Sequence, residues 1–360
     1  MQQYLVFSAD ALSIDFHYKN TMTKTRASDT EVTAEIVTAG DGAATHGTGN
    51  VSVSTLQAMY IPYSDISEDG ISSYRIQLEA NGGNAVILQM KPESGNLVWE
   101  SSSELSTSYG TTGTTSMHSI VNALHDDNIY VVADISCFLD STVASRNSAL
   151  ALTNASNEVY SDSYGSWLDP YNTEVRTYLS ELVQELCSLG FDEIMLSNYC
   201  LPIEGTMGDR SNGTSNDTTD PDSGDPTGDD PNSLDTGDDD TSNDDTTVDP
   251  TTYYVSEENP ETIASVLSTL AEELSDITST YRTVLSIRCD NTALRNNLGT
   301  QTGQDLSMLK EHFSRLYCNT DEEHLESDTA VLEDALGDES NSRFVPIMKQ
   351  PSDDGNWVVR

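Results

Sequence analysis

The side chains best suited to chemistry in this chain are carboxylates that follow short apolar runs. Glu93 follows the run 85–90, Asp134 lies within the run 129–135 and Asp290 follows the run 284–289. Asp321, Glu322 and Glu323 follow a further run at 314–318. Carboxyl groups held opposite one another do general acid and base work when their environments push their pKa values apart. The expected pair is Asp134 with Asp290, one as a general acid with a raised pKa and the other as nucleophile or base. Against this stands an ordinary reading of each as a surface or loop acid, in a chain with 60 Asp and Glu residues.

The elements that position these acids are legible around Trp167-Leu168-Asp169-Pro170-Tyr171. Asp169 can cap a helix there, with Pro170 in its first turn. Val175, Tyr178, Leu179, Leu182, Val183 and Leu186 recur at helical spacing, and Gly190 ends the helix. The apolar run 191–196 then reads as a buried parallel strand. A helix feeding a strand through so short a connection is the repeating piece of a (β/α)8 TIM barrel, which belongs to the α/β class. Gln57–Pro62 is expected as strand one, 71–80 as helix one, 85–90 as strand two and 129–135 as strand three. Helices are expected at 116–125 and 143–150. Later come a helix from Pro260-Glu261, strand five at 284–289, a helix at 306–313, strand six at 314–318, a helix at 325–336 and strand seven at 344–348. Trp357-Val358-Val359 begins strand eight with no room for a helix before it. The expected barrel is therefore incomplete, irregularly closed or cut short at Arg360.

The organisation reads as an N-terminal segment at 1–56, a first half-barrel at 57–204, an insertion at 205–252 and a second half-barrel at 253–360. The N-terminal segment offers a hairpin of 4–7 with 12–16, then a polar stretch expected to be loose. The insertion holds fourteen aspartates and no lysine. It is too polar to bury a core and reads as disordered. Its Asp-x-Asp spacing offers oxygen ligands for weak calcium binding, but it lacks the glycine and closing glutamate of an EF-hand. No metal or cofactor is expected. Cys137, Cys187, Cys200, Cys289 and Cys318 form no CxxC pair, and an odd count does not make a full disulfide framework.

The formal net charge is −44. Nucleic acid is an unsuitable partner, because phosphate contacts need clustered Lys and Arg. The mean hydropathy is −0.44, and no run is apolar enough for a spanning helix. The start Met1-Gln2-Gln3-Tyr4 lacks the basic and apolar regions of a signal peptide.

Three blocks carry a resemblance. They are Asn84 to Lys91 with Glu93-Ser94-Gly95, then Ile129 to Ala133 with Phe138 and Asp140, then Trp167 to Tyr171 with Leu189-Gly190-Phe191-Asp192-Glu193-Ile194. In order and spacing they resemble the glycoside-hydrolase-like TIM-barrel domain family of bacterial secreted and cell-surface proteins. The resemblance implies a glycan partner, polysaccharide or cell wall, at the barrel mouth, and favours an exported chain of which this is a fragment over a cytoplasmic one. The departures fall at strand ends, where such barrels keep their chemistry. The family's strand-four Asp falls on Ser197 and its Arg on Cys200. The strand-two acids fall on Gln89 and Pro92, the strand-three Arg on Asp134, and the strand-five Asp near Arg288. Catalysis is thus either lost or relocated. Asp192 and Glu193 begin strand four, at the face that serves stability, and are read as structural.

Glycosidic bonds are cleaved between two carboxyl groups, which returns Asp134 and Asp290 as the candidate catalytic pair. Lys91, Glu93, Trp167, Ser197, Tyr199 and Arg288 are candidate substrate contacts, with Lys91 steadying a carboxylate or hydroxyl and the aromatics stacking on sugar faces. Trp167 reads equally as a packing anchor and Lys91 as a salt-bridge partner. A divergent hydrolase, a carbohydrate-binding barrel without activity and a structural surface module all fit this fold.

Overall fold

A computed structural model describes residues 3–7, 32–36, 51–208, 251–257, 261–352 and 355–360. The chain divides into two compact units at Asn50 and Val51. In the first, Gln3–Phe7 pairs antiparallel with Val32–Ile36, Gln3 opposite Ile36. The expected hairpin partner 12–16 lies outside the described residues, and the observed partner falls within the stretch expected to be loose.

The second unit is a closed, all-parallel barrel of eight strands. These are β1 (Gln57–Ile61), β2 (Ala85–Lys91), β3 (Tyr130–Ser136), β4 (Glu193–Ser197), β5 (Val284–Cys289), β6 (Leu316–Asn319), β7 (Phe344–Met348) and β8 (Trp357–Val359). The long helices are α1 (Glu68–Ala80), α2 (Met117–Asp126), α3 (Thr173–Leu189), α4 (Ile263–Tyr281) and α5 (Leu325–Leu336). The barrel is closed. Among the described residues no helix stands between β7 and β8, and Trp357, Val358 and Val359 pair with Gln57, Ala58 and Met59. Asn356 pins this seam. Its amide oxygen accepts from the Leu56 N–H at 2.7 Å, and its amide nitrogen donates to the carbonyls of Ser342 and Phe344.

Strand alternation divides the buried side chains into two cores. Ala58, Ile87, Val132, Met195, Val345 and Val358 belong to the cluster inside the barrel. A larger cluster fills the layer between strands and helices, including Leu179, Leu182 and Leu186 of α3 and Leu267, Leu270 and Leu274 of α4. The barrel floor is polar. Glu193, fully buried, accepts from the hydroxyls of Tyr130 at 2.9 Å and Tyr317 at 2.7 Å, and pairs with Arg315. Asp192 accepts from the Val131 N–H and bonds the His125 ring, both at 2.9 Å. Both acids therefore hold the N-terminal end of the barrel together.

Several local expectations shift. The α3 cap is Asn172, whose side chain accepts from the N–H groups of Glu174 and Val175. Asp169 instead accepts from the N–H groups of Tyr171 and Ser256, tying the turn to the segment that follows the insertion. Gly190 ends α3 at φ 95°, as its spacing requires. Helix α4 starts at Ile263 with Thr262 as its cap. The helix expected at 306–313 is only Leu306–Leu309. There the Arg343 guanidinium takes the carbonyls of Lys310 and Phe313, so the chain leaves the helix early. The 209–250 stretch, with its calcium expectation, lies outside the described residues; a two-residue parallel bridge, Thr206–Met207 with Thr252–Tyr253, flanks it.

Candidate functional site

At the C-terminal end of the barrel the alternation that buries Ala58, Ile87, Val132, Met195 and Val358 ends in polar residues. Tyr60 of β1, Gln89 of β2, Asp134 of β3, Ser197 of β4, Arg288 of β5 and Asn319 of β6 occupy the corresponding strand positions, with Arg360 directly after β8. Asp134 is the centre of this layer and is 2% exposed. One carboxylate oxygen accepts from the Tyr60 hydroxyl at 2.6 Å and the other from the Ser197 hydroxyl at 2.5 Å. The Arg288 guanidinium donates to the Asn319 side-chain oxygen at 2.9 Å. The Arg360 guanidinium lies 4.5 Å from the centre of the Tyr60 ring. Gln89 accepts from the Tyr63 N–H at 3.1 Å and so fixes the chain leaving β1.

Burial pushes the Asp134 carboxyl above the usual carboxylate range; the Arg288 charge and the Ser197 and Tyr60 hydrogen bonds pull the other way, and the Glu93 charge adds to the rise. The net shift is upward, because the desolvation of a carboxylate exceeds what two hydroxyls and a nearby guanidinium return. Burial and then the Asp134 charge push the Tyr60 hydroxyl well above its ordinary range, so it remains a donor. A buried carboxyl with a raised pKa, on the C-terminal face of a TIM barrel, is a candidate general acid.

The remaining residues singled out in the sequence have the following places. Glu93 is half-buried in the loop after β2, within electrostatic reach of Asp134. Asp290 accepts from the N–H groups of Thr292 at 2.7 Å and Ala293 at 3.1 Å, capping the short helix Asn291–Arg295. Lys91 is buried beside Asp140 at 2.9 Å and donates to the Ser136 carbonyl at 2.6 Å. It is a salt-bridge partner that locks the loops after β2 and β3. Trp167 is buried and its indole N–H donates to Asp162 at 2.8 Å. Tyr199 is fully buried, packs on Phe138 and Phe313, and donates to the Leu267 carbonyl on α4 at 2.7 Å. Both aromatics brace the outer layer. All five cysteines are free and buried. Among the described residues no group of His, Cys, Asp and Glu side chains is arranged to hold a metal ion.

Tyr60, Asn319 and Arg360 were not singled out from the sequence as mouth residues. The signal for Tyr60 was its alternation with Ala58 on β1. The signal for Arg360 was closure of the barrel, which places the residue after β8 beside β1.

The glycoside hydrolase domain of PgaB (BpsB) from Bordetella bronchiseptica is similar in structure. It has a TM-score of 0.54 and 10% identity, over 85% of this chain and 94% of that one. At this identity the likeness concerns the fold. A hypothetical protein from Ruminiclostridium thermocellum is 26% identical over 40% of this chain and 77% of its own, with a TM-score of 0.38. The glycoside hydrolase domain of a PelA variant from Pseudomonas aeruginosa is 11% identical over 82% of this chain and 83% of its own, with a TM-score of 0.42. No curated protein matches the chain. The model of one family, described as "Putative glycosyl hydrolase domain", matches residues 58–316, which run from β1 to the start of β6 and include Tyr60, Gln89, Asp134, Ser197 and Arg288. The chain belongs to that glycosyl hydrolase-like family.

Proposed function

We propose that the C-terminal mouth binds a polysaccharide or cell-wall glycan and that Asp134 is its catalytic acid, with Glu93 as the second carboxylate. The observation that carries this reading is the buried Asp134 carboxyl, raised in pKa and set among hydroxyl, amide and guanidinium groups at the face where TIM barrels work. In this role Asp134 protonates the leaving glycosidic oxygen, and Glu93 stabilises the developing positive charge or activates water. Asp290, expected as the partner, has its carboxylate engaged at a helix N-terminus and is the less available second acid. An extracellular or cell-surface location follows from a glycan of this kind. Among the described residues no helix is long and apolar enough to cross a membrane.

A second reading, glycan binding without cleavage, is supported by one observation. Both oxygens of Asp134 already accept hydrogen bonds from protein hydroxyls. Such a carboxyl can orient a sugar without delivering a proton.

The two readings separate on a panel of polysaccharides assayed for released reducing ends and for binding. Wild type is expected to cleave at least one member, with Asp134→Asn and Glu93→Gln each reducing turnover by about 10²-fold or more. Binding without release of reducing ends would favour the second reading. Cleavage abolished by Asp290→Asn but not by Glu93→Gln would restore Asp290 as partner.

A further inference from the structure

Cations are scarce in this chain, with 16 Lys and Arg against 60 Asp and Glu. Most of those described are committed elsewhere. Arg75, Lys91, Arg295, Arg315 and Arg343 each hold a carboxylate, and others donate to main-chain carbonyls. Arg288 and Arg360 differ. Among the described residues neither lies within ion-pair distance of a side-chain carboxylate. Arg288 gives one N–H to the neutral amide of Asn319, and Arg360 rests over the face of the Tyr60 ring. Both sit at the mouth: Arg360 follows β8 beside the strand that carries Tyr60, and Arg288, on β5 across β4 from Asp134, is near enough for its charge to act on that carboxyl.

A guanidinium has five N–H donors in a planar fork that fits a carboxylate or a sulfate with two parallel hydrogen bonds. The one hydrogen bond to Asn319 leaves most of the Arg288 fork uncommitted and holds the side chain in place. Stacking on Tyr60 orients Arg360 while leaving its in-plane donors open. Tyr60 also donates to Asp134, so the Arg360 position and the central acid are linked through one ring. Asp134 is buried with both carboxylate oxygens taken by the Tyr60 and Ser197 hydroxyls, and it and Glu93 are the acids nearest the two guanidinium groups. A neutral sugar offers hydroxyls, which amides and carboxylates bind equally well. Two guanidinium charges outside ion-pair distance of any described side-chain carboxylate, in a protein of net charge −44, are matched by a ligand that brings its own negative charge.

We infer that the mouth selects a glycan bearing a negatively charged substituent, a uronate carboxylate or a sulfate ester, held by Arg288 and Arg360 beside Asp134. The inference rests on the glycan reading of the mouth and adds the charge of the sugar. It also implies recognition at short range, since the surrounding acidic surface repels anions at longer distance.

The test is calorimetric titration of the full chain with size-matched oligosaccharides: neutral, uronate-containing, sulfated and amino-sugar. At least one anionic series is expected to bind tenfold or more tightly than the neutral one, and the uronate and sulfate arms identify which group is read. Arg288→Gln and Arg360→Gln are each expected to bring the ratio of anionic to neutral affinity close to one. Arg288→Lys, which keeps the charge and loses the fork, should retain part of the ratio. Neutral or amino-sugar oligosaccharides binding as tightly as the anionic ones would overturn the inference while leaving the glycan reading in place. So would a ratio unchanged by both glutamine variants. Failure of every oligosaccharide to bind would overturn the glycan reading and the inference with it.

Discussion

Asp134 owes its place to strand alternation. Tyr130 and Val132 of β3 face the barrel interior, so Asp134, two positions further along, follows them inward at the C-terminal end. That much was legible in the sequence, because the run 129–135 identifies the strand and its period of two identifies the face. The partners of the acid were not legible in the same way. Tyr60 is 74 residues away in sequence and Ser197 is 63. Their convergence depends on the register of β1, β3 and β4 around a closed barrel. Lys91 and Tyr199 looked like mouth residues from their strand-end positions, yet each points into packing, where Asp140 and the Leu267 carbonyl satisfy them. Burial of Asp134 has a stability consequence whose sign is fixed. Its folded pKa is raised, so the folded state holds its proton more tightly than the unfolded chain. The native state is therefore relatively favoured below the unfolded carboxyl value of about 4, and loses that advantage as pH rises through the folded pKa. Asp134→Asn, close in shape to the protonated acid, is expected to raise the melting temperature at pH 7 by about 2 °C or more. The gain should shrink toward zero near pH 3. A lower melting temperature at pH 7 would show that the ionised carboxylate is a net stabiliser.

Among the elements, helices with strong apolar spacing and clear stops were the most readable. Helix α5 and strands β5 and β7 fall where their patterns place them. The caps were less so, since Asp, Asn, Ser and Thr cluster near every helix start and only the folded turn decides which one accepts. Two glycines separate a local conformational demand from a tertiary one. Gly190, at φ 95°, ends α3, and an added Cβ there would meet only Val121 at 3.7 Å. Gly95, at φ 87°, faces the Lys91–Asp140 pair, and an added Cβ would lie 2.0 Å from an Asp140 oxygen. Gly190→Ala is expected to cost about 1 kcal/mol, the usual penalty of placing a side chain in the left-handed region. Gly95→Ala should cost about 3 kcal/mol or more, because displacing Asp140 leaves a buried lysine uncompensated. Urea denaturation of both variants checks the order. Equal costs would mean that the ion pair relaxes without loss. Lys91→Met should resemble Gly95→Ala, since it leaves the Asp140 carboxylate buried without its cation.

On the scale of the whole molecule, closure was the feature that the sequence left open. A βα repeat count stops at β7, and Trp357-Val358-Val359 lacks the preceding helix that would mark it as a barrel strand. The structure closes the ring through the Asn356 side chain, which bonds three backbone groups at the seam between β7, β8 and β1. Such bonds have no sequence signature, since a lone asparagine in a loop reads as a turn residue. Asn356→Ala is expected to lower stability by about 2–3 kcal/mol, the cost of leaving a buried backbone donor and acceptors without partners. Hydrogen exchange should accelerate first at Leu56 and along β8. Uniform acceleration across all eight strands would instead place the seam within the global cooperative unit. Closure also completes the mouth, because it brings Arg360 over Tyr60.

The central claim is that this mouth is a glycan site organised by Asp134. The most direct test measures cleavage and binding of a polysaccharide panel by wild type and by Asp134→Asn, with circular dichroism confirming that both are folded. Wild type is expected to engage at least one glycan and cleave it, and Asp134→Asn to lose cleavage by about 10²-fold or more. A glycan bound and cleaved equally well by both proteins would contradict that claim.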